Sequence, residues 1–92
     1  MKFEIVTPEA SLVTGEVSVV TLPGVNGEFQ LLNNHAPVVS LLMSGSVKFE
    51  GEVTFAEGFE DKFTKENNSK WSLPISSGTM EMKDNKVIVL AD

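Results

Sequence analysis

The chain is 92 residues long, 41% hydrophobic and free of cysteine, and its 13 acidic and 7 basic residues leave a net charge of −6. That length holds one domain, because a chain of this size buries about 60–65% of the surface its unfolded form exposes, enough for a single core. The missing cysteine excludes disulfides and zinc–thiolate sites. The negative charge disfavours nucleic acid and anionic lipid as direct partners, and no apolar run approaches the roughly 18 residues that cross a bilayer as a helix.

From the N-terminus, Met1-Lys2-Phe3-Glu4-Ile5-Val6 moves straight into a strand pattern and has none of the features of a secretion signal. Phe3 and Ile5 share one side of this strand, which Thr7-Pro8-Glu9 ends. Val17 and Val19 point one way and Val20 and Leu22 the other, a switch that predicts a bulge or a strand covered on both faces. Pro23-Gly24 and Asn26-Gly27 read as back-to-back turns, with glycine free to take φ > 0. A short apolar stretch over 29–32 follows. Polar Asn33-Asn34-His35 then leads to Ala36, held extended by Pro37.

Residues 38–43 are apolar on both sides. Val47 and Phe49 alternate with Lys48 and Glu50, and Val53 and Phe55 follow Gly51-Glu52, which predicts a hairpin turning at Gly51-Glu52. The weakest segment is 58–72, where Phe59 and Phe63 hint at a short helical turn and a polar loop over 65–70 precedes Trp71. Met80 and Met82 alternate with Glu81 and Lys83 and point to the core, and Asp84-Asn85 suits a tight hairpin turn. The last strand, 87–90, is apolar on both sides, so either the domain covers both or one side meets another subunit. No window carries an apolar helical stripe. The pattern predicts an all-β fold: a flattened β-sandwich or barrel of about ten mostly antiparallel strands, a single domain over 1–92.

Chemistry is sparse. His35 is the only histidine, so no His-based metal site forms from this chain alone. Glu28 lies upstream and could meet it in a folded loop as a carboxylate–imidazole pair capable of acid–base work. Three readings of His35 stand side by side: packing a turn beside Pro37, touching a partner, or catalysis. No serine elbow and no cysteine nucleophile accompany it. Gly24 and Gly27 lack the Lys-Ser/Thr and the strand-to-helix context of a phosphate loop and read as turn glycines. No catalytic residue, metal or cofactor is implied.

The block over 22–37, with its Pro-Gly and Gly-Glu turns and its closing His-Ala-Pro, resembles the signature of the epsilon subunit of F-type ATP synthases. The stretch over 75–92, down to its final Leu-Ala-Asp, resembles the last two strands of that subunit's β-domain. The resemblance implies a non-catalytic rotor subunit that joins the gamma subunit to the c-ring and couples proton or sodium translocation to ATP synthesis. It implies no cofactor, no nucleotide and no membrane insertion, and a peripheral place on the cytoplasmic face of the bacterial inner membrane. It further implies a short form that ends with the sandwich, without the family's C-terminal helical hairpin. Carried over residue by residue, the ring-facing contact comprises Glu28, Asn34, His35 and Ala36, with Glu28 and His35 at one end of the sandwich, and the gamma-facing surface includes Val87 and Val89. The alternative from a different class is a free-standing acidic β-sandwich that binds a protein or other ligand, for which Trp71 and the phenylalanines would have to form an exposed platform.

Overall fold

Alternating apolar residues carry the chain into strands almost everywhere, and the computed structural model describes all of residues 1–92. The strands are β1 (Lys2–Val6), β2 (Ser11–Gly24), β3 (Gly27–Leu32), β4 (Val38–Leu42), β5 (Gly45–Phe55), β6 (Thr64–Lys65), β7 (Lys70–Ile75), β8 (Gly78–Lys83) and β9 (Lys86–Ala91). A 3-10 turn, Glu60–Lys62, bridges β5 and β6 where Phe59 and Phe63 suggested a helical turn. Every pairing is antiparallel except β1 with β9. One layer runs β1-β9-β8-β4 and the other β3-β2-β5-β7-β6; β1 also pairs β2, and β4 touches β2 at Leu42 opposite Gly24, so the two layers join at both sides. The result is a flattened, nearly closed sandwich, 32 × 24 × 22 Å.

The core lies between the layers. Phe3 and Ile5 of β1, Val20 and Leu22 of β2, Val47 and Phe49 of β5, Met80 and Met82 of β8 and Val87 and Val89 of β9 are all buried there. Each such side chain withdrawn from water contributes about 1.5–3 kcal/mol before the entropic cost of ordering it. Phe3 stacks on Phe49 at 4.8 Å between centroids, Phe49 meets Phe63 at 6.0 Å, Phe63 meets Phe55 at 4.6 Å, and Phe55 meets Trp71 at 4.8 Å. Trp71 is therefore the outer end of an interlocked aromatic row, with the Lys65 ammonium 5.5 Å above its ring. This row packs inward and does not form the exposed platform that a free-standing binding module would need.

Two local expectations are corrected. The residues Gly51-Glu52 do not turn the chain: β5 runs through them and pairs β2 from Thr21 to Val13. Gly51 serves close approach, since a Cβ there would lie 2.3 Å from the Glu16 carbonyl oxygen and 2.6 Å from Val17 Cα. Opposite it, the register shifts between Val17 and Val19, and this bulge turns both Val17 and Val20 inward. Likewise Pro23-Gly24 belongs to the end of β2, and only Val25-Asn26 turn, with Gly27 at φ +107°. The Asp84-Asn85 turn is as the sequence predicts, with φ +52° and +57°.

Candidate functional site

Strand β3 and the turn after it carry the residues of the His-Ala-Pro block. With β3 extended, Glu28, Gln30 and Leu32 share one exposed face while Leu31 is buried. Glu28 sits near the start of the strand, 4.0 Å from the Lys48 ammonium of β5, in a loose surface ion pair. Gln30 donates from Nε2 to Thr21 Oγ1 at 3.3 Å. Beyond Leu32 the chain folds back: the His35 N–H donates to the Leu32 carbonyl at 3.1 Å, with Asn34 at φ +64°. His35 Nδ1 lies 2.7 Å from the Ala36 carbonyl. A carbonyl only accepts, so this bond puts a proton on Nδ1, and in the neutral ring it leaves Nε2 as an acceptor. Asn34, His35 and Ala36 are all exposed.

The structure places Glu28 and His35 at opposite ends of β3, which corrects the expectation of a common end. Four strand steps at about 3.4 Å each separate Glu28 from Leu32, and the loop lies beyond. They form no carboxylate–imidazole pair, so the acid–base reading has no geometry to rest on. What β3 offers instead is a stripe: Glu28, Gln30 and Leu32 along the strand, then the Asn34–His35–Ala36 segment.

The last strand also requires a correction. Val87 and Val89 are each 0% exposed, sealed against the opposite layer, and present no side chain to a partner. The outward residues of β9 are the ones between and beyond them, Ile88 and Leu90. Leu90 is 52% exposed, and across β8 on strand β4 Val39 is 72% and Leu41 63% exposed. With Val6 of β1 beside Leu90 and Met43 after β4, these side chains make a largely apolar face, crossed along β8 by Thr79, between Leu41 and Leu90, and by exposed Glu81, between Val39 and Ile88. At one end it deepens to a groove of about 580 Å³, walled by Leu41 and Met43 on one side and Val6 and Leu90 on the other, over a floor of Gly78 and Thr79. The two-sided apolar run over 38–43 was the sequence signal for this face. Nothing in the alternation of β1 marked Val6 as part of it.

Every buried side-chain polar atom has a hydrogen-bond partner. No cluster of three or more His, Asp or Glu side chains is gathered as a metal site would gather them. The exposed residues described above form two surfaces, one largely apolar across β4, β9 and β1 and one largely polar along β3.

The family of the ATP synthase Delta/Epsilon chain β-sandwich domain matches this chain over residues 1–92. The ATP synthase epsilon chains of Dehalococcoides mccartyi, Helicobacter pylori and Wolinella succinogenes are 35%, 36% and 36% identical to it over 92 residues, all of this chain. It spans 55%, 63% and 60% of their lengths, respectively. Among solved structures, a chain of the central stalk and c-ring of the Tetrahymena thermophila mitochondrial ATP synthase shares the fold, with a TM-score of 0.65 at 14% identity, covering 99% of this chain and 62% of that one.

Proposed function

The chain belongs to the ATP synthase Delta/Epsilon β-sandwich family, and from that membership we propose that it is a non-catalytic joint of the rotor, linking the gamma subunit to the c-ring. In this reading the apolar face of β4, β8, β9 and β1 seats gamma, and the β3 stripe with Asn34, His35 and Ala36 rests on the polar loops of the ring. The protein then works as a peripheral part of the synthase at the cytoplasmic face of the bacterial inner membrane, passing ring rotation to gamma so that ion flow drives ATP synthesis. In this reading its partners hold the joint at the membrane; no helix of the chain is long and apolar enough to cross one.

One observation carries the reading. The core is complete without Val39, Leu41 and Leu90, yet these remain exposed on one face, with Leu41 and Leu90 walling the same groove. Apolar patches of that kind on a folded domain mark protein contacts. A rotor joint also calls for stiffness, and layers joined at both sides through β1 and β4 supply it, since sliding would break ladder hydrogen bonds.

The test is titration of a Leu41→Glu/Leu90→Glu variant against the gamma subunit. Fold and melting temperature stay close to wild type while affinity for gamma falls at least about a hundredfold, because two charges would be buried unpaired at the interface. Undiminished gamma binding by a folded double variant removes this face from the interface.

A further inference from the structure

We infer that Asn85, at the tip of the β8–β9 hairpin, is the residue that positions the Asn34–His35–Ala36 segment. The inference rests on reading that segment as a ring contact, and adds the device that sets its shape.

Two hydrogen bonds and a backbone constraint converge on one residue. The Asn85 side-chain Oδ1 accepts from the Asn34 N–H at 2.7 Å, across a separation of 51 residues. Its backbone carbonyl accepts from the Lys2 N–H at 3.0 Å. Its own left-handed backbone, φ +57°, closes the hairpin with Asp84 at φ +52°. Because β3 ends at Leu32, the Asn34 N–H has no ladder partner, and Asn34 itself is held at φ +64°. The bond from Asn85 satisfies that donor in that conformation, and the conformation brings the His35 N–H onto the Leu32 carbonyl at 3.1 Å. Freed from Asn85, Asn34 could return to the ordinary φ < 0 regions that a non-glycine residue prefers, and the turn carrying His35 would open.

The choice of residue supports this. A two-residue hairpin with φ > 0 at both positions takes glycine most readily at the second. Asparagine there brings a side chain the hairpin does not need, and that side chain is the one engaged with Asn34. Lys2, Asn34 and Asn85 thus tie the first strand, the β3–β4 loop and the last hairpin together at one end of the sandwich.

Asn85→Gly keeps the backbone conformation and deletes the acceptor, whereas Asn85→Asp keeps an acceptor. The readouts are amide hydrogen exchange of Asn34 by NMR, melting temperature, and retention of the chain with gamma on detergent-solubilised c-rings. For Asn85→Gly we expect an unchanged or higher melting temperature, Asn34 exchange at least about tenfold faster, and several-fold weaker retention; Asn85→Asp stays near wild type in all three. Unchanged Asn34 exchange in Asn85→Gly overturns the inference whatever the ring does. Ala36→Trp separates the remaining failures. Retention lost with Ala36→Trp but kept with fast-exchanging Asn85→Gly also overturns the positioning role. Retention kept in both variants overturns the ring-contact reading, and the inference falls with it.

Discussion

The two outer faces of this sandwich obey one rule of alternation and leave different things in water. On the β3-β2-β5 layer the outward residues include Glu28, Gln30, Thr21 and Lys48, which pair among themselves, Glu28 with Lys48 and Gln30 with Thr21, with Leu32 the exposed apolar side chain at the end of β3. On the β4-β8-β9-β1 layer the outward residues include Val39, Leu41, Ile88, Leu90 and Val6, and water can offer these nothing. The first face is finished as a surface. The second leaves large apolar side chains uncovered, and it is the face that the proposed reading gives to gamma.

The largest effect that could break this comparison lies within β9 itself. Val89→Asp places a carboxylate in a fully enclosed site. Its burial cost exceeds about 4 kcal/mol, most of the stability a domain of this size has, and urea or thermal denaturation should find the variant unfolded. Leu90→Asp, one residue along, should shift stability by less than about 0.5 kcal/mol. Similar losses for the two variants would mean that the outer side of β9 is as essential to folding as the inner, and that the distinction between faces is false.

Next in size is the seam that gives β2 its change of face. Gly51→Ala forces a methyl to within 2.3 Å of the Glu16 carbonyl oxygen, at the point where the register shifts. Backbone rather than a flexible side chain must yield, so a loss of about 3 kcal/mol in chemical denaturation is expected. A loss under about 1 kcal/mol would show that β2 and β5 can part locally without disturbing the bulge.

Legibility in the sequence divided along physical lines. Alternation is local, so the all-β class, the inward set Phe3, Ile5, Met80 and Met82, and the Asp84-Asn85 turn could all be read from it. Gly51 could not, because glycine serves turns and close backbone approach equally, and only the partner strand decides between them. In β9 both phases are apolar, and alternation alone gives no sign of which phase faces the core; the resemblance puts Val87 and Val89 toward the partner, whereas Ile88 and Leu90 are the outward pair. The Asn34–Asn85 bond was beyond reach for a different reason. It joins residues 51 apart, and no sequence period reports it.

The smallest expected effect tests the polar face, through the Glu28–Lys48 pair. Both side chains are largely solvated, at 58% and 36% exposure, and 4.0 Å apart. Such pairs contribute about 0.2–1 kcal/mol, and salt screens them within roughly 3 Å at 1 M. Glu28→Gln and Lys48→Gln should therefore lower stability by similar small amounts, under about 0.5 kcal/mol once solvent screening is allowed for, and the difference from wild type should vanish in high salt. Binding separates the two. If Glu28 meets a cationic side chain on the ring, Lys48 competes with that cation for the same carboxylate. Removing Lys48 frees Glu28 and should strengthen retention on c-rings at low salt by about two- to threefold, whereas removing the Glu28 charge should weaken it by about as much. Opposite signs from variants of equal stability would identify Glu28 as a contact that orients the joint. Changes of the same sign would make the pair an ordinary feature of a finished surface and leave the ring contact to the loop at the far end of β3.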